Sequence, residues 1–214
     1  MSARLKINEI FYSIQGESTR TGLPTIFVRL SGCPLRCTYC DTAYAFYSGE
    51  RRYIEEIIET ISQFPCQTIC VTGGEPLAQE AVHLLMQRLC DLAYQVSIET
   101  SGALDIGMVD PRVMIVMDLK TPSSGEVDRN DWTNLKKLKP QDQIKTVILN
   151  ETDFKWYCDV MQKHTVPKGV EWLVSPVTPG LVPSVLAQWV LEQALPVRLQ
   201  VQLHKTLWGD TQGR

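Results

Sequence analysis

TIFVRLSGCPLRCTYCDT, residues 25–42, joins an apolar run to a loop that holds three cysteines. Residues 25–30 are mostly apolar or β-branched, which predicts a strand. Cys33, Cys37 and Cys40 follow directly after it. The same order, an apolar run that leads into polar or glycine-rich residues, recurs along the chain and indicates the fold.

The remaining apolar runs predict further strands at residues 68–72, 95–99, 113–118, 144–149, 171–174 and 197–202. Three segments between the strands repeat apolar residues at helical spacing: Ile54, Ile57, Ile58 and Ile61; Val82, Leu85, Met86 and Leu89; Phe154, Tyr157, Cys158 and Met161. Alternating strands and helices predict an α/β fold with a mostly parallel sheet. Because 214 residues are few for a closed barrel of ~250 residues, we expect a shortened, open (β/α) barrel.

The chain shows no linker or repeat, so residues 1–214 are expected to form a single domain. Residues 121–129 (TPSSGEVDR) are the most loop-like stretch, and we interpret them as a functional loop. Polar residues follow several predicted strands. In a parallel α/β sheet, ligands bind at this carboxyl-terminal edge, so the active site is expected there.

Composition narrows the function classes. The net charge of −3 gives no general attraction to nucleic acid or anionic lipid, so we expect no direct nucleic acid partner and no membrane association. No apolar run resembles a signal peptide or a membrane span, and a cytoplasmic location is expected. Seven cysteines in a reducing compartment argue against disulfides. Outside the cluster, the predicted role is structural for Cys66, Cys70, Cys90 and Cys158.

The three clustered cysteines lack a fourth ligand nearby. A structural zinc site takes four protein ligands, and ordinary ferredoxin clusters take four cysteines. No histidine lies between residues 1 and 82. Three thiolates can hold three corners of a [4Fe-4S] cluster and leave one iron open, which suits catalysis. On spacing alone, a zinc-binding fragment remains an alternative.

The CxxxCxxC spacing, with Tyr39 before the last cysteine, resembles the signature of the radical S-adenosylmethionine superfamily. Gly73-Gly74-Glu75-Pro76, after a predicted strand, resembles its GGEP-type turn. The resemblance implies that S-adenosylmethionine binds the open iron. A one-electron reduction then releases a 5′-deoxyadenosyl radical.

Several blocks narrow the resemblance to the 7-carboxy-7-deazaguanine synthase family: FYSIQGE at residues 11–17, FVRLSGC at 27–33, CDT at 40–42, IETSG at 98–102 and QLHK at 202–205. Membership implies ring contraction of 6-carboxy-5,6,7,8-tetrahydropterin to 7-carboxy-7-deazaguanine with loss of ammonia, in queuosine and 7-deazapurine biosynthesis. It also implies Mg²⁺, a homodimer and an external one-electron reductant such as a flavodoxin.

The same resemblance assigns site residues. Cys33, Cys37 and Cys40 would bind the cluster, and Thr42 would bind Mg²⁺. The expected substrate-binding residues are Ile14, Gln15, Gly16, Arg29, Thr72 and His204. The expected S-adenosylmethionine contacts are Tyr39, Cys40, Asp41, Gly74, Glu75, Asp118, Leu119, Lys120, Ser175, Pro176, Val177 and Thr178.

Simpler roles stay open for some of these residues. Arg29 can be paired with an acidic residue across the barrel, and Thr42 can be a local turn residue. Glu17 can be catalytic, structural or solvated. The block QGES departs from the expected QGEG at Ser18, a position where glycine would tolerate positive φ.

Two rival functions remain. A glycyl-radical activase would use the same cysteine loop on a protein partner, although Arg29 suits a small anionic substrate better. A zinc-stabilised binding module would carry no catalysis.

Overall fold

The computed structural model describes residues 3–209 and 211–213, and their nine strands form one continuous sheet. The strands are β1 (Arg4–Ile14), β2 (Pro24–Leu30), β3 (Glu50–Tyr53), β4 (Thr68–Gly73), β5 (Gln95–Thr100), β6 (Met114–Leu119), β7 (Gln143–Ile148), β8 (Glu171–Pro176) and β9 (Arg198–Leu199). Their order is β3-β1-β2-β4-β5-β6-β7-β8-β9. Within the described chain β3 and β9 are the sheet's two edges, so the predicted open barrel is confirmed.

From β2 to β9 all neighbouring strands are parallel, and six of the seven predicted strands agree with the structure to within two residues. The seventh, predicted at 197–202, shortens to β9. Gln200 N still donates to Val174 O of β8, but the Gln200 side-chain amide bonds to both the N–H and the carbonyl of Ser18, and Leu203 N donates to Gly16 O. The chain beyond Gln200 therefore joins the loop after β1.

Strands β1 and β3 were not predicted. Both pair antiparallel, β1 with β2 and with β3. The register of β1 shifts between Ile7 and Glu9, and most of its side chains are only partly buried. The bulge breaks the regular alternation by which a strand is recognised from sequence.

Three of the five helices were predicted from their apolar spacing: α1 (Ile54–Ser62), α2 (Val82–Asp91) and α3 (Glu151–Lys163). Helices α4 (Pro183–Glu192) and α5 (Leu203–Trp208) were not. The connections from β5 to β6 and from β6 to β7 contain no α-helix among the described residues. Pro111, Pro122 and Gly125 interrupt these connections, which form turns and short 3-10 segments instead.

Helices α1 and α2 bury their apolar faces against the sheet. Ile57, Ile61 and Leu85 are fully enclosed and belong to one core with strand residues such as Val28 and Val71. Each such side chain contributes about 1.5–3 kcal/mol through burial. A second core lies under α3 and α4. No helix in the described ranges is long and apolar enough to cross a membrane.

Candidate active site

A cavity of about 780 Å³ opens at the carboxyl-terminal edge of the parallel strands. Residues at or after the ends of successive strands line it, among them Gly74 after β4, Ser101 after β5, Lys120 after β6 and Thr178 after β8. The cavity therefore lies where the active site was expected, at the carboxyl-terminal edge and spread over many strands.

The loop after β2 brings Cys33, Cys37 and Cys40 to the wall of this cavity. Gly74 of the GGEP turn packs directly on the loop: a Cβ atom on Gly74 would collide with the carbonyl oxygen of Gly32 and lie 2.9 Å from the Cβ of Cys33. Glycine at position 74 thus permits a close approach between the two motifs.

Burial raises the pKa of all three cysteine thiols, to about 11 for Cys37. The ammonium of Lys120 opposes this rise at each of them. Bound iron would hold the sulfurs as thiolates at neutral pH.

The donor set fits an iron–sulfur cluster with one open iron. Three soft thiolates share one wall of the cavity. Across residues 3–209 and 211–213, no three His, Cys, Asp or Glu side chains gather closely enough around one point to hold a single metal ion.

All six expected substrate-binding residues line the same cavity: Ile14, Gln15, Gly16, Arg29, Thr72 and His204. Glu99 organises two of them, since it accepts a hydrogen bond from the Thr72 hydroxyl (2.8 Å) and from the Gln15 amide (3.4 Å). Gly16 touches α5, because a Cβ atom there would collide with the His204 ring.

Arg29 has the acidic partner that the sequence left open, and it also lines the cavity in which a substrate would bind. Its Nε atom forms an ion pair with Glu9 at 2.7 Å, and the Tyr44 hydroxyl also donates to Glu9. The guanidinium lies 5.7 Å from the Phe11 ring centroid and 5.8 Å from that of Tyr44. Glu9 occupies Nε, so the terminal nitrogens remain for a ligand in the cavity.

A chain of buried and partly buried charges lines the cavity. Asp118 and Lys120 were expected as S-adenosylmethionine contacts, whereas Lys145 and the ion pairs were not predicted. Glu17 pairs with Lys145 (2.6 Å), Lys145 approaches Asp118 (3.5 Å), and Asp118 approaches Lys120 (3.4 Å). Burial would lower the pKa of Lys145, but Glu17 and Asp118 outweigh it and raise that pKa. Glu17 Oε1 is buried and has no hydrogen-bond partner among the described residues.

Glu17 was considered in the sequence without a decision, and Lys145 was missed. A lysine in a strand is usually solvated, whereas Lys145 lies on β7 with a side chain only 12 % exposed. Its position between Ile144 and Val147 in a parallel strand was the available signal, because such strands are buried on both faces.

The expected S-adenosylmethionine contacts divide into two groups. The cavity is lined by Tyr39, Cys40, Asp41, Gly74, Asp118, Lys120, Val177 and Thr178. It is not lined by Glu75, Leu119, Ser175 and Pro176. Glu75 is fully buried, and its carboxylate accepts hydrogen bonds from Leu77, Thr100 and Ser101. Glu75 therefore ties the end of β4 to the end of β5.

Thr42 lies at the cavity, where its hydroxyl donates to Asp41 Oδ1 at 2.8 Å. Its carbonyl also accepts from Ala45 in a local turn. The turn role that the sequence left open is present, in a residue that also lines the cavity.

Ser18 has the positive φ angle that a glycine, expected at this position from the family block, would tolerate. Its φ angle is +69°, and the residue is buried. Gln200 holds its backbone through two hydrogen bonds, which compensate the unfavourable conformation.

Comparisons with known proteins agree with this geometry. The family model for the Radical SAM superfamily matches residues 27–122. A 7-carboxy-7-deazaguanine synthase of Chlorobaculum tepidum is 42% identical over 99% of this chain and 98% of its own length. One from Koribacter versatilis is 39% identical over 98% of this chain and 100% of its own. The crystal structure of QueE from Escherichia coli superposes with a TM-score of 0.79 at 22% identity, covering 93% of this chain and 94% of that one.

Proposed function

The chain belongs to the 7-carboxy-7-deazaguanine synthase family of the radical S-adenosylmethionine superfamily, and we propose that its central cavity performs that family's reaction. The reaction contracts the ring of 6-carboxy-5,6,7,8-tetrahydropterin to 7-carboxy-7-deazaguanine and releases ammonia. Substrate and products balance without net oxidation, so the enzyme is a carbon–nitrogen lyase. Its product serves queuosine biosynthesis.

One observation carries the proposal: the cluster-binding cysteines and the Gln15–Arg29–Thr72 wall face one cavity. Its volume of about 780 Å³ lies high in the range of roughly 300–1,000 Å³ that holds drug-sized ligands. A nucleoside cofactor and a bicyclic substrate can therefore lie side by side.

The family carries a [4Fe-4S] cluster and S-adenosylmethionine, and Cys33, Cys37 and Cys40 are the residues that would hold the cluster. When bound, the pair supplies one-electron reduction of the sulfonium and the radical chemistry of the superfamily. The contacts to S-adenosylmethionine then come from Tyr39 on the cysteine loop and from Asp118 and Lys120 at the end of β6, which line the cavity beside the cysteines.

The substrate carboxylate is bound by Arg29. Its terminal guanidinium nitrogens can grip a carboxylate bidentately, while Glu9 fixes Nε and two aromatic rings flank the group. Thr72, Gln15 and Gly16 contact the ring system, and His204 encloses it from α5.

Glu17 extends the substrate-binding residues. Its Oε1 atom is a buried acceptor without a partner in the described chain, and an unmet acceptor of this kind costs free energy unless a ligand satisfies it. The substrate's ring N–H groups are suitable donors. Lys145 holds the other carboxylate oxygen, Oε2, at 2.6 Å.

Mg²⁺ is bound through the hydroxyl of Thr42. This hard cation prefers oxygen ligands and usually shares them with water and substrate. Thr42→Ala should leave the cluster's absorbance unchanged but alter the Mg²⁺ concentration needed for half-maximal rate. An unchanged Mg²⁺ response would contradict the assignment.

The proposal includes three features outside the cavity. A flavodoxin-type protein supplies the electron, since the cluster must be reduced from outside. Exposed apolar side chains, such as Leu23 and Met108, are available for burial in a homodimer. The proposed location is the cytosol, because three thiolate ligands need a reducing compartment.

An anaerobic assay tests the reaction. Reconstituted protein is mixed with S-adenosylmethionine, dithionite, Mg²⁺ and 6-carboxy-5,6,7,8-tetrahydropterin, and products are read by mass spectrometry. 7-Carboxy-7-deazaguanine and ammonia are expected. Release of 5′-deoxyadenosine without either product would contradict the substrate assignment and favour another radical reaction.

A further inference from the structure

The turn at residues 121–126, here called the brace, packs on the cysteine loop between its ligands. Thr38 donates its backbone N–H to Ser124 O (3.0 Å) and its hydroxyl to Ser123 O (2.7 Å). The Tyr39 hydroxyl lies 2.9 Å from that of Thr121. Glu126 accepts from the backbone N–H of Arg36.

These contacts are the main external support of the loop. In the part of the chain that the structure describes, Arg36 and Thr38 are the residues among 33–40 whose backbone N–H groups bond to another segment, and both donate to the brace. The other two hydrogen bonds from backbone N–H groups there, Cys40 N to Cys37 O and Leu35 N to Cys33 Sγ, lie within the loop. The brace therefore holds the backbone on both sides of Cys37.

The brace is in turn fixed from α3. Asp153, in the first turn of this helix, is fully buried. One carboxylate oxygen accepts from Ser123 N at 3.0 Å and the other from Leu149 N at 3.1 Å. Asn150 adds a hydrogen bond to the Ser123 hydroxyl. Because hydrogen bonds to a buried carboxylate are strong and directional, Asp153 determines the position of Ser123.

From this chain of contacts we propose that Asp153 is a positioning residue for the iron–sulfur cluster, which acts through the brace on the loop between Cys37 and Cys40. Asp153 itself does not line the cavity. The proposal rests on the radical S-adenosylmethionine function described above and gives a role to residues 121–129, which the sequence marked as functional.

Asp142 provides a matched control. It is also fully buried, and it accepts two backbone N–H groups, from Ile115 (2.8 Å) and Lys139 (2.7 Å). It directly precedes β7 and so lies at the amino-terminal ends of the parallel strands, opposite the cavity. Asp153→Asn and Asp142→Asn make the same chemical change, and only the first touches the brace.

Amide hydrogen exchange on cluster-free protein is the first test. In Asp153→Asn, the side-chain NH₂ replaces one of the two acceptor oxygens, which weakens the contact that holds the brace. The backbone amides of Arg36 and Thr38, which donate to the brace, should therefore exchange about tenfold faster than in the parent. In Asp142→Asn they should stay within about twofold of the parent. Equal exchange of these amides in the two variants would overturn the proposal.

Reconstituted protein gives a second readout. The electron paramagnetic resonance spectrum of the reduced cluster with S-adenosylmethionine should shift or broaden in Asp153→Asn and match the parent in Asp142→Asn. Identical spectra in both variants would overturn the proposal. Neither readout requires product, so failure to form 7-carboxy-7-deazaguanine would count against the proposed reaction alone.

If Asp153→Asn does not fold, Thr38→Val tests the contact between brace and loop through which Asp153 would act. Thr38 is exposed, and the change removes only its hydroxyl bond to Ser123 O. Exchange of the residue-38 amide should rise several-fold relative to the parent, after correction for the intrinsic rate of valine. An unchanged corrected rate would overturn the proposal.

Discussion

At the amino-terminal edge of the parallel strands, Asp142 accepts hydrogen bonds from Ile115 N, Lys139 N and Lys139 Nζ, all within 2.7–2.8 Å. At the carboxyl-terminal edge, Glu17 is almost as deeply buried, but one of its oxygens has no partner among the described residues. A buried carboxylate whose oxygens all have hydrogen-bond partners stabilises the fold. One with an unpaired oxygen lowers stability until a ligand binds. The same side-chain chemistry therefore serves structure at one edge and binding at the other.

Removal of a cysteine at the carboxyl-terminal edge should have the largest effect. Cys37→Ala should abolish cluster assembly and turnover, because two thiolates cannot hold the cluster's position. Iron and sulfide analysis, with the anaerobic assay, measures both. Cys158→Ala, on α3 and outside the cavity, should retain full iron content. Turnover by purified Cys37→Ala protein would refute the cluster assignment.

At the amino-terminal edge, Asp142→Ala should affect stability and spare function. It leaves two buried N–H groups unpaired, and the free energy of unfolding should fall by about 3 kcal/mol. Urea denaturation measures the loss. KM for the tetrahydropterin, measured below the melting temperature, should match the parent. A raised KM with an unchanged free energy of unfolding would mean that Asp142 serves binding rather than the fold, and would contradict the account.

Glu17→Gln should show the opposite pattern. The amide can still accept from Lys145, but it loses the charge that attracts ring N–H groups, so KM should rise about tenfold. Tm should fall less than in Asp142→Ala, because Asp118 still pairs with Lys145. Steady-state kinetics at saturating S-adenosylmethionine provide the measurement. An unchanged KM would show that Oε1 does not meet the substrate.

Ser18→Gly should have the smallest effect. Glycine relieves the positive φ angle, worth about 1 kcal/mol, but adds freedom to the unfolded chain and removes the hydrogen bond from Arg20 N to Ser18 Oγ. We expect a net gain of about 0.5 kcal/mol, seen as a rise in Tm of ~1–2 °C. A fall in Tm would mean that the hydroxyl contact outweighs the strain.

The sequence alone predicted those strands and helices whose formation depends on a local pattern of residues. Runs such as residues 68–72 and the helical spacing of Ile54, Ile57 and Ile61 predicted elements that the structure contains. The cysteine spacing and the GGEP turn located the cavity. These signals are short-range, so one sequence carries them.

What the sequence did not show depends on contacts between distant segments. The bulge in β1 hides its alternation, and the chain after β9 bonds to the loop after β1, where Gln200 meets Ser18, 182 positions away in the chain. Lys145 becomes a buried ion-pair partner only when Glu17 and Asp118 meet it across the sheet. Glu75 carries a family motif, yet its carboxylate is fully used by Leu77, Thr100 and Ser101.

The central claim is that cluster, cofactor and substrate share the one cavity at the carboxyl-terminal edge. Its most direct test uses 6-carboxy-5,6,7,8-tetrahydropterin deuterated at its ring carbons, mixed anaerobically with the reconstituted enzyme, S-adenosylmethionine and dithionite. Mass spectrometry of the recovered 5′-deoxyadenosine and S-adenosylmethionine should show deuterium passed from the substrate. Formation of 5′-deoxyadenosine without deuterium in either molecule would contradict the claim.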